Sequence, residues 1–175
     1  MISETPLEGT VVVDAAKKPV SPALAGPYGH PYHPILVTVP IGAWVSSLVF
    51  DIAAQLVRDP ASLVQGARWL IAIGVIGAVV AACVGALDLF AIPTGTRAFR
   101  TAVLHMSLNL LVTLAYAANF LWRSDDRPEP GMLALNAVSL VVLGVAGYLG
   151  GKLAFRYGVR VVDEDTQAEG FSQPK

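Results

Sequence analysis

The chain has 175 residues, of which 54% are hydrophobic and 14% charged, and its formal net charge is −1 at pH 7. That charge content is too low to cover the surface of a soluble domain of this size. The near-zero net charge argues against a nucleic-acid partner, because binding to phosphates depends on a basic surface. The single cysteine, Cys83, rules out an intramolecular disulfide within this sequence.

Several apolar blocks are long enough to cross a bilayer, since about 20 apolar residues span its hydrocarbon core as a helix. Residues 1–26 are predicted to form a flexible polar tail, and residues 27–161 a transmembrane domain. The predicted spans are 34–57, 68–92, 98–122 and 131–151, followed by a second polar tail at 162–175. The first 34 residues contain no continuous apolar stretch typical of a cleavable signal, so we expect the first span to direct insertion.

The predicted fold class is all-α, an integral membrane antiparallel four-helix bundle. The apolar blocks are unbroken, whereas strands of a membrane β-barrel alternate in polarity. Short connections make neighbouring helices antiparallel and put both termini on one face of the membrane, named side A here. Basic residues favour the cytoplasmic face, so we expect a multi-pass protein of the bacterial inner (cytoplasmic) membrane with both termini cytoplasmic. Side A carries Lys17, Lys18, Arg97, Arg100, Lys152, Arg156, Arg160 and Lys175, whereas the opposite face, side B, carries Arg58, Arg68, Arg123 and Arg127.

Small residues line one face of two predicted spans. In lipid, helices associate through close backbone approach, which small residues allow. The second span has such a face from Gly74 to Gly85, and Asp88 continues it. The fourth has the pair Gly147 and Gly151. We interpret these glycines as helix-packing positions, either within one chain or between two.

Two predicted spans carry a polar stripe on one helical face. An ionisable group in hydrocarbon needs a partner in the bundle interior, so the two stripes should face each other or a shared cavity. At the side-B end, Asp51 and Tyr116 lie at matching depth and are predicted to form a structural polar pair. The stripe of the first span is His33, Pro40, Trp44, Ser47 and Asp51, and that of the third is His105, Asn109, Tyr116 and Asn119.

Near side A, the three histidines His30, His33 and His105 converge with Asp88. One interpretation is a hydrogen bond between Asp88 and His105 that serves structure alone. A second is a metal ion or a haem b held by His33 and His105, with His30, Asp88 and Asn109 around the cofactor; the unequal depth of the two ligands counts against it. A third is a path for protons or a substrate.

The chain resembles a bacterial membrane family known as domain of unknown function 2231. The resemblance rests on HPYHPILVTVPIGAWVSSLVFD (30–51), GALD (85–88), VLHMSLN (103–109) and GVAGYLGGKLAFRYGVRV (144–161). It implies a four-helix membrane domain without an established activity, and fusion of some relatives to a Rieske-type domain hints at electron transfer. This chain has no Cys-His cluster pair for such a centre, so the redox partner would be a separate protein. The matching positions are His30, His33, Asp51, Asp88, His105, Asn109 and the segment 147–151.

From these patterns we expect a small, non-enzymatic, redox-linked membrane subunit with its site at the side-A cluster. No CxxC, CxxCH, HExxH, Walker or GxGxxG motif supports covalent haem, metalloprotease or nucleotide chemistry. The alternatives are a small transporter or proton-conducting component, and a purely structural subunit. Transporters often show internal repeats, and the two halves of this sequence show no convincing match. The expected partners are the lipid bilayer and either a separate redox protein or a second copy of the chain.

Overall fold

The computed structural model describes residues 16–18, 26, 29–124 and 127–171. Within them, helices joined by turns account for the regular structure, and four are long and apolar enough to cross a membrane: His33–Leu56, Ala61–Leu89, Arg97–Trp122 and Pro130–Tyr157. They pack as a bundle, which confirms the predicted all-α membrane fold. The predicted tail at 1–26 lies largely outside the described residues, and the second tail contains a short helix at Glu164–Glu169.

Proline and capping residues set the ends of the spans. The first span is two helices, His33–Leu36 and Thr38–Leu56, broken at Val37. Pro40 lacks the N–H that would bond to the carbonyl of Leu36, so the helix breaks about one turn before it. At the start of the third span, the Thr96 hydroxyl accepts a hydrogen bond from the Phe99 N–H at 3.1 Å.

Two spans are longer than the sequence predicts. The second begins at Ala61 rather than at Arg68, and the Arg68 guanidinium lies 5.3 Å from the centre of the Phe120 ring. The fourth continues past Gly151 to Tyr157 and ends at Gly158, whose φ of 66° is the left-handed cap that glycine favours. Basic residues near the ends of spans are tolerated inside helices because their long side chains reach ring faces or the interface.

Neighbouring spans form two hairpins, the first with the second and the third with the fourth. The second also packs on the third, and the first on the fourth, so the first and third spans lie diagonally across the bundle interior. Side chains that project inward from these two spans therefore meet on the bundle axis. Exposed apolar side chains such as Ile76, Leu114 and Val141 cover the outside, as expected for a surface solvated by lipid.

The two hairpins make equivalent internal contacts. In the first, the ring Nδ1 of His33 lies 2.9 Å from the carbonyl oxygen of Ala81. In the second, the ring Nδ1 of His105 lies 2.7 Å from the carbonyl oxygen of Ala146. A histidine near the side-A end of one helix thus bonds to a backbone carbonyl of the next helix in both hairpins.

This correspondence extends along the spans and reveals an internal repeat that the sequence comparison of the two halves missed. Residues of the first and third spans correspond at a spacing of 72 positions, and those of the second and fourth at 65. Most of the paired residues differ in type, which hides the repeat from comparison by similarity. The pairs are His33/His105, Trp44/Tyr116, Ser47/Asn119 and Asp51/Arg123 in the first set, and Ile71/Asn136, Gly74/Ser139, Ala81/Ala146 and Gly85/Gly150 in the second.

The predicted packing glycines divide into buried and open positions. A methyl group on Gly74 would overlap the indole of Trp44, and one on Gly85 would come within 2.8 Å of the His33 ring. At Gly147, by contrast, the same methyl group would meet no atom within 4 Å, and at Gly151 only the Phe155 ring at 4.0 Å. The second-span glycines therefore allow close packing inside the bundle, whereas the fourth-span pair faces outward.

We expect Gly74→Ala to destabilise the bundle by about 1–3 kcal/mol, because the buried Trp44 indole has no room to move away from the added methyl group. Gly144→Ala is the matched control, since a methyl group there meets open space. Alanine also has the higher helix propensity, so the control should be neutral or slightly stabilising. Thermal unfolding of the two purified variants in detergent measures the difference; equal melting temperatures would contradict the packing at Gly74.

Candidate functional site

At the side-B end of the bundle, a buried ion pair joins the first and third spans. The guanidinium of Arg123 donates two hydrogen bonds to the Asp51 carboxylate, Nη1 to Oδ1 at 2.8 Å and Nη2 to Oδ2 at 2.5 Å. Asp51 is fully buried and Arg123 is 6% exposed. A carboxylate in this position needs such a partner, because an unpaired buried charge costs several kcal/mol.

Four uncharged side chains surround the ion pair. Together with it they form the Asp51 cluster, which consists of Asp51, Arg123, Asn136, Asn119, Tyr116 and Ser47. Asn136 donates to Asp51 Oδ2 at 3.1 Å and to the Ser47 hydroxyl at 3.2 Å, and its own oxygen accepts from the Tyr116 hydroxyl at 2.6 Å. The sequence prediction paired Asp51 with Tyr116; in the structure, Asn136 of the fourth span joins the two.

A buried aromatic stack lies above the Asp51 cluster on the bundle axis. The Trp44 and Tyr116 rings are parallel within 6°, with centres 4.2 Å apart, and both side chains are 1% exposed or less. The Trp44 indole N–H donates to the carbonyl of Ile71 at 3.4 Å, which ties the second span to the same centre. The Tyr116 hydroxyl belongs to the Asp51 cluster, and its ring, stacked on Trp44, forms the side of that cluster toward side A.

Near side A, the rings of His33 and His105 face each other across the bundle. Their centres are 6.3 Å apart and their planes cross at 80°. The sequence predicts that the two histidines lie at different depths, because His33 begins the first span whereas His105 lies about two turns inside the third. The short distance between the rings shows that the third span extends about two turns farther toward side A than the first. The two rings therefore reach the same level.

The hydrogen bonds of the two histidines fix which ring nitrogen remains available. A backbone carbonyl can only accept, so the Nδ1 of each ring must carry the hydrogen that it donates, to Ala81 in one case and Ala146 in the other. In the neutral ring the Nε2 atom then holds a lone pair. This is the arrangement that orients histidine ligands of metals.

Small residues of the neighbouring spans make room for both rings. A methyl group on Gly85 would lie 2.8 Å from the Cε1 atom of His33, and one on Gly150 would lie 3.0 Å from the Cε1 atom of His105. The amide nitrogen of Asn109 lies 3.3 Å from Nε2 and 3.4 Å from Nδ1 of His105. The backbone oxygen of His105 accepts from the same amide at 2.8 Å.

The hydrogen bond between Asp88 and His105, one of the three interpretations of the side-A cluster, is not the contact that Asp88 makes in the described residues. The Asp88 carboxylate instead forms an ion pair with Arg160, with Nε 3.0 Å from Oδ1. Arg160 has a left-handed backbone, with φ of 59°, and its N–H donates to the carbonyl of Ala16 at 3.0 Å. Asp88 prefers Arg160 because a permanent cation from the segment after the fourth span is a stronger partner than a histidine already bonded to a carbonyl.

His30 lies just before the first span, and its carbonyl accepts a hydrogen bond from the Gly26 N–H at 3.0 Å. The structure thus brings together His33, His105 and Asn109 among the predicted cofactor residues. No group of three or more histidine, cysteine, aspartate or glutamate side chains that could hold a metal ion occurs in the described part of the chain. A metal at this level would have two histidine ligands from the protein.

Sequence reasoning gave Asn136 no role and counted Arg123 and Arg160 only as basic residues of the two membrane faces. Arg123 directly follows the third span in a charged segment, which is typical of a residue that faces water. Asn136 is a single polar residue in an otherwise apolar block. The spacing of 72 positions that relates His33 to His105 also relates Asp51 to Arg123, and that regularity is the signal that could have found the ion pair.

Comparison with known protein families gives one finding. A family model described as "Predicted membrane protein (DUF2231)" matches residues 29–163, which confirms the resemblance seen in the sequence. No curated protein and no solved structure matches the chain.

The buried ion pair predicts strong coupling between Asp51 and Arg123. Asp51→Leu or Arg123→Met alone should lower the free energy of unfolding by about 3–5 kcal/mol, because each leaves one buried charge unpaired. The double variant should lose clearly less than the sum of the two single losses. Chemical unfolding in detergent measures all three.

Arg127→Met is the matched control, since this arginine also binds the first span, donating to the backbone carbonyls of Ala54 and Val57 and not to Asp51. Its loss should simply add to that of Asp51→Leu. If the loss from Arg123→Met also simply added to the loss from Asp51→Leu, the Asp51–Arg123 pair would contribute no coupling energy to stability.

Proposed function

The chain belongs to the DUF2231 family of predicted membrane proteins, and from the geometry of its two facing histidines we propose that it is a membrane electron-transfer subunit that binds one haem b. His33 and His105 would be the two protein ligands of its iron. The observation that carries this proposal is the pair of rings on opposite sides of the bundle axis, each with its Nδ1 bonded to a helix carbonyl.

The ring separation supports a shared metal. Two imidazoles that bind one metal from opposite sides have ring centres roughly 6 Å apart, since a metal–nitrogen bond is about 2 Å long and the nitrogen lies about 1 Å from the ring centre. The observed separation is 6.3 Å. Ligands from two diagonal helices also place the metal on the bundle axis, where both hairpins contribute equally.

The number of donors favours haem over a bare ion. A zinc ion in a closed structural site takes four protein ligands, and two histidines supply half of that set. Haem iron already has four equatorial nitrogens and needs only two axial ligands, which histidines often provide. With no CxxCH motif in the sequence, the haem would be bound without covalent attachment. When bound, it would supply one-electron chemistry, and the residues of the chain would orient the imidazoles and exclude water.

The chain contains no recognisable iron–sulfur ligand set, so the electron partner would be a separate protein, as the redox hypothesis from the sequence requires. We expect no catalytic step on this chain itself. The lipid-facing surface of all four spans supports a role inside the bilayer.

The purified protein, expressed with haem supply, should show the visible spectrum of a low-spin haem with one haem per chain. His33→Ala and His105→Ala should each abolish that spectrum, because either change removes an axial ligand. His30→Ala is the control and should retain it. A protein without haem in the spectrum and in extracted pigment would overturn the proposal; a stoichiometric metal other than iron, lost in the same two variants, would replace haem by a bare ion.

The distribution of basic residues supports an orientation with both termini in the cytoplasm of a bacterium. The histidine pair would then lie near the cytoplasmic face of the inner membrane. Arg123 on side B and Arg160 on side A each form an ion pair with an aspartate, so neither is counted here. Basic residues at the ends of the spans remain more numerous on side A than on side B. A cysteine added after the fourth span, for example at position 171, should react with a membrane-permeant thiol reagent only. Labelling of intact cells by an impermeant reagent would reverse the orientation. Cys83→Ala serves as the background.

A further inference from the structure

A groove lies on the outer surface of the fourth span, away from the histidine pair and close to side A. It has a volume of about 390 Å³ and is lined by Tyr148, Gly151, Lys152, Phe155 and Arg156. The Tyr148 and Phe155 side chains are 73% and 92% exposed, so the groove opens to the lipid. Gly151 forms its floor because a larger residue there would project into it.

Two cations stand at the side-A end of this groove. Lys152 and Arg156 are one turn apart on the same helical face, and neither forms an ion pair with a carboxylate among the residues that the structure describes. The Lys152 ammonium lies 5.7 Å from the centre of the Tyr157 ring. Since the span ends at Tyr157, both charges lie within about 8 Å of its end, at the depth of lipid headgroups.

An open apolar strip runs beside the basic pair toward the bilayer centre. Gly151 and Gly144 are two turns apart on one helical face, next to the exposed Tyr148. A methyl group built on Gly144 would meet no atom within 4 Å, and one on Gly151 would meet only the Phe155 ring at 4.0 Å. The groove thus offers a place for a charged headgroup and, beside it, a shallow apolar surface for a lipid tail.

A second copy of the chain fits this face poorly. In a two-fold dimer the same surface meets itself, so Lys152 and Arg156 would face their own copies. The described part of the fourth span, Pro130–Tyr157, contains no acidic residue that could offset this repulsion. A negatively charged phosphate complements the two cations and the groove together.

We propose that this groove binds an anionic phospholipid of the side-A leaflet, with its phosphate between Lys152 and Arg156 and one acyl chain along Gly151 and Gly144. The site is independent of the histidine pair, which lies inside the bundle. Binding requires the whole phospholipid and not its phosphate alone, because the headgroup contacts only two cations and the acyl chain supplies the remaining contact area.

The test is native mass spectrometry of the full chain released from nanodiscs that contain phosphatidylglycerol and phosphatidylcholine in equal amounts. The unmodified chain should retain one phosphatidylglycerol molecule in preference to phosphatidylcholine. Lys152→Gln combined with Arg156→Gln should lower that retention roughly ten- to thirty-fold, as expected for two lost headgroup contacts. Arg97→Gln combined with Arg100→Gln removes the same charge from the same membrane face and should leave retention unchanged.

Gly151→Leu tests the shape of the groove separately from its charge, because leucine fills the groove and both cations remain. This variant should also retain less phosphatidylglycerol. Ala82→Leu adds a comparable side chain to an exposed position of the second span and is its control. Equal losses of lipid in the Lys152/Arg156 and Arg97/Arg100 double variants would reduce the effect to general surface charge and overturn the proposal. If the unmodified chain is a dimer and Gly151→Leu is a monomer, the face binds a second copy of the chain and not a lipid. If inorganic phosphate displaces the lipid, the acyl chain contributes nothing to binding, which would also overturn the proposal.

Discussion

The ion pair between Asp51 and Arg123 fixes the register of the two spans that meet on the bundle axis. A buried carboxylate with two guanidinium hydrogen bonds cannot slide by even one residue without losing its partner. His33 precedes Asp51 by 18 residues, and His105 precedes Arg123 by the same number. Eighteen residues are about five turns of an α-helix, and the 6.3 Å between the two rings shows that the break at Val37 leaves His33 level with His105. Alignment of the ion pair at side B therefore aligns the two imidazoles at side A.

The sequence predicts the all-α membrane bundle and its four apolar helices, because hydrocarbon leaves few ways to place a polar side chain. It does not predict the ionic partners. Depth alone suggested Asp88 and His105 as one possible pair, whereas Arg160, beyond the last span, reaches back to Asp88. Arg123 is counted among the basic residues of side B, and nothing in its neighbourhood indicates that it turns inward to Asp51. Partners of this kind depend on where the chain folds back, which the local pattern of one segment does not contain.

The internal repeat changes the argument about transport, since such repeats are common in transporters. Here, however, the equivalent residues Trp44 and Tyr116 stack on the axis at 4.2 Å, between the histidine pair and the Asp51 cluster. Both side chains are almost fully buried, and Tyr116 is held by Asn136. A path for protons or a substrate along the axis would have to open this stack. The stack favours a static core with one site near side A over a channel through the bundle.

The repeat also shows where the two halves differ and where they agree. The two halves are related by an approximate two-fold axis, so residues on the axis lie next to their counterparts from the other half. Two aspartates at the level of Asp51 would therefore repel each other. The second half has Arg123 at this position, and the two residues form an ion pair. At the level of His33 the second half has histidine again. Each imidazole bonds to a helix carbonyl of its own hairpin, which is a structural reason for histidine at both positions. The proposed haem would add a second reason, because it needs the same donor from both sides; loss of haem without loss of stability in the two histidine variants would separate the two.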